Sequence, residues 1–120
     1  GRDEVVFGTV LLGRMQGGAG AERTLGMFIN TLPLRVGVGA QAVEDGIAQT
    51  HARLAALLEH EHASLALAQR CSGVAAPAPL FSALLNYRHN VIAAEPENVD
   101  AGFEFLHAQE RTNYPLTLTL

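Results

Sequence analysis

The chain has no lysine and no tryptophan, and only one cysteine among its 120 residues. A lone cysteine excludes an internal disulfide and agrees with a reducing, cytoplasmic compartment. Cys71 lies in Gln69-Arg70-Cys71-Ser72-Gly73, which has no recognisable catalytic context, so it reads as a buried structural thiol. The eight arginines form no cluster, and against twelve acids they leave a formal charge of −4. Nucleic acid and anionic membranes call for a basic patch, so neither is expected as a main partner. No apolar run approaches the ~18–20 residues needed to span a bilayer, and no signal peptide opens the chain. Several catalytic signatures are missing too. There is no Gly-x-Ser-x-Gly elbow, no Gly-Lys-Ser/Thr after the glycines of 16–20, and no His-Glu-x-x-His or cysteine pair for zinc.

What remains is an apolar, sparsely charged chain, 48% hydrophobic and 17% charged, with enough apolar mass for a core. Its length fits one small domain or part of a larger one. Both termini read as cut: an apolar strand follows Asp3-Glu4 directly, and Leu116-Thr117-Leu118-Thr119-Leu120 stops in mid-alternation.

Residues 5–12 are β-branched or apolar on both faces, which predicts a buried central strand ending at Gly13-Arg14. A glycine-rich loop over 16–20 and a helical turn over 22–26 follow. Residues 28–36 read as extended, with Pro33 placing the piece at an edge or a bend. The clearest helix covers 41–61. Val43, Ile47, Leu54 and Leu58 recur at helical spacing, Glu44 and Asp45 sit in its first turn, and His60 and His62 lie near its end. Ser64 is suited to cap a short helix over 65–70, with Gly73 at the C′ position. A stiff linker over 75–79 leads to a strand over 80–89. An acidic loop over 94–102 and strands over 103–107 and 116–120 complete the chain. This order predicts an α/β domain with a mixed sheet and packed helices.

His60-Glu61-His62 is the sole histidine cluster and reads as structural rather than metal-binding, because ligands two apart on a helix diverge by ~200°. The most informative stretch is Gly26-Met27-Phe28-Ile29-Asn30-Thr31-Leu32-Pro33-Leu34-Arg35. It sets an Asn-Thr pair among large apolar residues and closes on arginine, which core packing alone does not require. Asn30 is suited to satisfy backbone groups at the bend before Pro33, and Arg35 to hold a carboxylate. Neither is a natural base at neutral pH, so Gly26, Phe28, Asn30, Thr31 and Arg35 read as a structural motif.

This stretch resembles the Gly-x-Phe-(Val/Ile)-Asn-Thr-(Leu/Gln)-x-x-Arg motif of nonribosomal peptide synthetase condensation domains. Residues 3–14 resemble the family's preceding strand, Val-Val-Phe-Gly-Thr-Val-x-x-Gly-Arg. His60-Glu61-His62-Ala63-Ser64-Leu65 loosely occupies the place of His/Asn-Gln-Asp-Tyr/Val-Pro-Phe. Residues 80–90, with Asn86-Tyr87-Arg88-His89-Asn90, resemble the next strand, and Asn113-Tyr114-Pro115-Leu116 a later strand start. The resemblance covers essentially the whole chain in order.

The resemblance implies residues 1–120 as a partial condensation domain, most of the C-terminal lobe of a pair of chloramphenicol-acetyltransferase-like lobes that meet around a tunnel. Its implied reaction joins a donor acyl or peptidyl thioester to an acceptor aminoacyl amine. Both ride on phosphopantetheine arms of carrier proteins, so no cofactor is expected in this chain. The implied partners are donor and acceptor carrier proteins, adjacent megasynthetase domains and the missing N-terminal lobe. The family's His-His-x-x-x-Asp-Gly motif is absent, since no two histidines are adjacent, so no catalytic residue is expected here. Leu12, Gly13, Asn86 and Arg88 are expected on the tunnel wall. Leu12 stands where many members carry serine, which makes the wall more apolar. Asn86 and Arg88 read equally as strand-end residues bonded to backbone or solvent. Two alternatives stay open: an epimerisation or dual epimerisation/condensation domain of the same fold, and a non-catalytic module that docks carrier proteins.

Overall fold

The computed structural model describes residues 2–14, 17–88, 107, 109 and 111–120. Its elements are β1 (Glu4–Leu11), a 3-10 turn (Ala21–Arg23), β2 (Asn30–Gly37), α1 (Val43–Leu58), α2 (Leu65–Cys71), β3 (Ala83–Asn86) and β4 (Leu116–Thr119). The strands form one sheet in the order β2-β1-β3-β4. β1 runs antiparallel to β2 and parallel to β3, and β3 runs parallel to β4. The result is the expected mixed α/β arrangement. The expected loop over 94–102 and strand over 103–107 lie outside the described residues, apart from His107.

The register explains why β1 is apolar on both faces. Residues paired across strands share a face, so Phe7, Thr9 and Leu11 stand with Leu34, Leu32 and Asn30. This face carries the helices, which pack on β2. It also holds much of the core: Leu32 is 2% exposed, and Leu11, Leu34 and Thr9 are buried. On the other face Gly8 lies opposite Pro33 on one side and Leu84 on the other. The Phe81 ring covers Gly8 so closely that a Cβ there would collide with it. Phe81 is itself buried and stacks on Tyr114 at a centroid distance of 5.4 Å, so it has little room to withdraw. Pro33 is accommodated because β2 is an edge strand, whose outer side needs no ladder donor.

Several local expectations are corrected. The long helix runs from Val43 to Leu58 rather than over 41–61. It stops because the N–H groups of His60 and Glu61 turn back to the Leu57 and Leu58 carbonyls in three-residue steps, which tighten the chain into a turn. His60 and His62 therefore lie beyond its last turn. Val43 and Ile47 are 80% and 66% exposed, so the N-terminal half of its apolar stripe is uncovered by the described residues. The 3-10 turn falls earlier than the helical turn expected over 22–26. Ser64 caps α2 as expected, its side chain accepting from the Leu67 N–H at 3.1 Å. α2 extends to Cys71, and Gly73 takes no left-handed conformation. Instead the Ser72 hydroxyl donates to the Gln69 carbonyl at 2.8 Å and accepts from the Val74 N–H at 3.1 Å, which closes the helix without a glycine. Cys71 is exposed, not buried, because it sits at the last position of a helix with no buried residue. Among the described residues of the strand expected over 80–89, the strand proper runs from Ala83 to Asn86.

Gly8→Ala is expected to cost about 1–3 kcal/mol, because the added methyl meets a ring that is pinned on its far side. Chemical denaturation measures this. Pairing the change with Phe81→Leu, which frees space, is expected to recover part of the loss, and an unaltered midpoint for Gly8→Ala alone would contradict the close approach.

Candidate functional site

β1 and β3 run parallel and β2 antiparallel, so the end of β1, the end of β3 and the start of β2 meet at one end of the sheet. The structure therefore brings Leu12, Gly13, Asn30, Asn86 and Arg88 to a common end. Leu11 pairs with Asn30 there, which places Leu12 and Gly13 just beyond the last rung of the ladder.

Two glycines shape the connection from β1 to β2. Gly13 is buried with φ at 67°, and a Cβ there would strike the Phe28 carbonyl oxygen. Gly26 has φ at 147°, and a Cβ there would stand 2.8 Å from the Phe28 ring. Both conformations favour glycine, and each lets the chain run close to Phe28. Arg14 completes the cluster. Its guanidinium carbon lies 5.1 Å from the centre of the Phe28 ring, in cation–π geometry, and Nη2 donates to the Gly26 carbonyl at 3.1 Å. Leu12, Arg14, Gly26, Met27, Phe28 and Ile29 line an open hollow of about 500 Å³. Its rim is apolar and bare, with Leu12 at 61%, Ile29 at 63% and Met27 at 94% exposure.

Asn30 holds the site to the rest of the fold. Its Nδ2 donates to the Glu61 carbonyl at 2.8 Å and to the Ala63 carbonyl at 2.7 Å. Its Oδ1 accepts from the Thr31 N–H at 2.9 Å. One amide thus satisfies two carbonyls of the α1–α2 turn and one N–H of the edge strand. Thr31 is half-buried and opposite Val10.

Arg35 stands apart from this group. It lies five residues along β2 from Asn30, roughly 17 Å at the rise of an extended strand. Its Nη1 is 3.8 Å from Glu4 Oε2 with both side chains more than half exposed, a pair that contributes little to stability.

Asn86 and Arg88 contribute their main chains to the β3–β4 ladder. The Asn86 carbonyl accepts from the Leu120 N–H at 3.0 Å, and the Arg88 N–H donates to the Leu120 carbonyl at 2.8 Å. The Asn86 side chain is half-buried and that of Arg88 is exposed. Both sit at the end of the sheet that also holds Leu12 and Gly13.

Sequence reasoning missed the burial of Glu61. This residue is only 1% exposed, and its Oε1 lies 3.7 Å from His62 Nε2. Nothing in His60-Glu61-His62 marks the middle residue for burial. It is buried because Asn30 draws the turn's backbone against the edge of β2. Among the described residues no group of histidine, cysteine, aspartate and glutamate side chains is placed to hold a metal ion.

The family model that matches this chain is that of the condensation domain, over residues 1–120. Malpibaldin synthetase of Mortierella alpina is 57% identical over 120 residues, covering 100% of this chain and 2% of the relative. Nonribosomal peptide synthetase 4 of Gibberella zeae is 31% identical over 121 residues, covering 100% of this chain and 2% of its own length. Among solved structures, the starter condensation domain of rhizomide synthetase in complex with C8-CoA superposes with a TM-score of 0.61 at 25% identity, over 72% of this chain and 20% of that one. The first condensation domain of the calcium-dependent antibiotic synthetase, bound to a substrate analogue, gives 0.59 at 25% identity, over 75% and 20%. The chain thus spans about 2% of the length of these curated relatives.

Asn30→Ala is expected to destabilise the fold by roughly 1–3 kcal/mol, since it strands part-buried acceptors. Asn30→Asp is expected to cost at least as much, because a carboxylate would face the Glu61 and Ala63 carbonyl oxygens with no proton to donate. Urea unfolding of both variants checks the order, and wild-type stability for Asn30→Asp would contradict the clamp.

Proposed function

The chain belongs to the condensation-domain family of nonribosomal peptide synthetases, and on that premise we propose that it supplies one wall of a tunnel in which two carrier-bound acyl groups are joined by an amide bond. In this reaction the acceptor amine nitrogen attacks the donor thioester carbonyl. A carbon–nitrogen bond forms, the carbon–sulfur bond breaks, and the pantetheine thiol leaves, while the amine gives up a proton. The base for that proton is not in this chain, which has no adjacent histidines. The part left to this chain is placement and dryness. Holding amine and carbonyl together converts a bimolecular step into an effectively unimolecular one, and excluding water protects the thioester.

The observation that carries this reading is the apolar, open end of the sheet, where Leu12 and the Gly26–Ile29 turn line a hollow. Leu12 has no structural work there: it lies past the ladder and is largely exposed. An apolar side chain at that place suits a wall against which a pantetheine arm passes. Donor and acceptor carrier proteins are the partners, phosphopantetheine arrives with them, and the site works in the cytoplasm. Among the described residues no helix is long and apolar enough to cross a membrane.

Two outcomes check the reading. The 120-residue chain alone is expected to form no amide product from carrier-bound substrates. In the parent synthetase, Leu12→Glu is expected to lower kcat/KM for condensation about tenfold or more, while its thermal midpoint stays put because the position is exposed. Unaltered kinetics with Leu12→Glu would remove Leu12 from the tunnel wall.

A further inference from the structure

One row across the sheet carries hydrogen-bonding side chains at the end where Leu12 lies. Val10 of β1 pairs with Thr31 of β2. On the other side Thr9 stands opposite Leu85, and continuing that register by one residue sets Asn86 beside Val10. Asn86 in turn pairs with Thr119 of β4. Thr31, Val10, Asn86 and Thr119 therefore form one row over all four strands. Residues paired across strands share a face. The face of this row is the one opposite the helices, because Thr9, Leu11 and Leu32 occupy the side on which the helices pack.

Two features set this row apart from a solvated surface. First, β1, β3 and β4 are parallel, and parallel strands are normally covered on both faces. Further along the same face the cover is present in this chain: Leu84 is buried, and the Phe81 ring, stacked on Tyr114, lies on Gly8. Polar side chains on a covered face need hydrogen-bonding partners. Second, Asn86 is the last residue of β3, at the end where the three parallel strands finish together. That is the usual place for a ligand on a sheet of parallel strands. Thr31, Val10 and Asn86 are half-buried. The Asn86 main-chain carbonyl accepts from Leu120, whereas its carboxamide makes no hydrogen bond among the described residues.

We propose that the Asn86 carboxamide oxygen accepts a hydrogen bond from an amide N–H of the pantetheine arm, while Val10 and Leu12 lie against the arm's methylene groups. A neutral carboxamide suits this task, because it meets a neutral amide without burying a charge. A pantetheine arm carries two secondary amides joined by methylenes, which matches a row of mixed polar and apolar side chains. Leu12 follows Val10 by two residues, and the spacings within and between strands put its Cα roughly 8 Å from that of Asn86. An arm that passes Leu12 therefore reaches Asn86 within its own length. The inference rests on the reading of this sheet end as a tunnel wall, and adds to it a residue that fixes where the arm lies.

Condensation kinetics of the parent synthetase test it, with carrier proteins supplied in trans. The carriers bear either the natural arm or an arm in which one amide N–H is replaced by an ester oxygen. Asn86→Leu is expected to raise KM for the carrier-bound substrate about tenfold, the effect of one lost hydrogen bond, with kcat and the thermal midpoint unchanged. One of the two ester arms is expected to cost the wild type a similar factor and to cost Asn86→Leu little more. Asn86→Ala, which removes the amide without adding bulk, gives the same comparison where leucine unfolds the protein. Wild-type kinetics for Asn86→Leu, or a loss that multiplies with that of both ester arms, would overturn the proposal. Leu12→Glu separates the two readings. A loss there beside wild-type kinetics for Asn86→Leu removes the Asn86 contact alone, whereas silence at both positions removes the tunnel wall as well.

Discussion

Three hydrogen bonds from one amide tie this fold together. Asn30 stands at the first residue of β2, on the face that carries the helices, and reaches the carbonyls of Glu61 and Ala63 while accepting from Thr31. The Glu61 and Ala63 carbonyls lie in the turn between α1 and α2, outside both helices, and need partners from elsewhere. An amide can donate twice and accept as well, and here both donors and the acceptor are used. Aspartate lacks the donors, serine lacks the reach, and a hydrophobe would leave the carbonyls bare. The helices are thereby positioned over β2, and β2 in turn aligns with the end of β1. The geometry of the sheet end follows from this contact.

A second constraint works through close approach. Gly13 and Gly26 let the β1–β2 connection run against Phe28, and Gly8 lets the Phe81 ring lie on β1. The motif's glycine, phenylalanine and asparagine therefore act as one device. Glycine gives the backbone path, phenylalanine fills the space beside it and receives Arg14 over its ring, and asparagine fastens the following strand. Leu12 is left outside this packing and is largely exposed.

Much of this was legible in the sequence, for local reasons. The two-sided apolar character of 5–12 marked β1 as a buried central strand, which holds for its position but not for Val5, Val6 and Leu12, all exposed, and Pro33 placed β2 at an edge or a bend. Ser64 announced the start of α2, and leucine–threonine alternation announced β4. The residue type of Asn30 even announced a backbone-satisfying role. Its partners were not legible, because they lie 31 and 33 residues away and no local pattern encodes that distance. The end of α1 was misplaced for the same reason: helical spacing continues past Leu58, and the turn begins where a distant side chain holds it. Burial of Glu61 and exposure of Cys71 are consequences of that turn and of α2's surface position. Of the expected site, the sheet register places Leu12, Gly13, Asn86 and Arg88 at one end, whereas Arg35, adjacent in the motif, lies elsewhere. A motif contiguous in sequence along a strand is spread over its length in space.

We propose that this end of the sheet is the wall along which a carrier-borne substrate travels. The direct measurement is a structure of the parent synthetase with a non-hydrolysable substrate analogue tethered to a carrier protein through its pantetheine arm. The arm is expected to pass against Leu12 and Gly13, within van der Waals distance of the Leu12 side chain. An arm that passes instead over the helices, or leaves this end of the sheet in contact with bulk water, would contradict it.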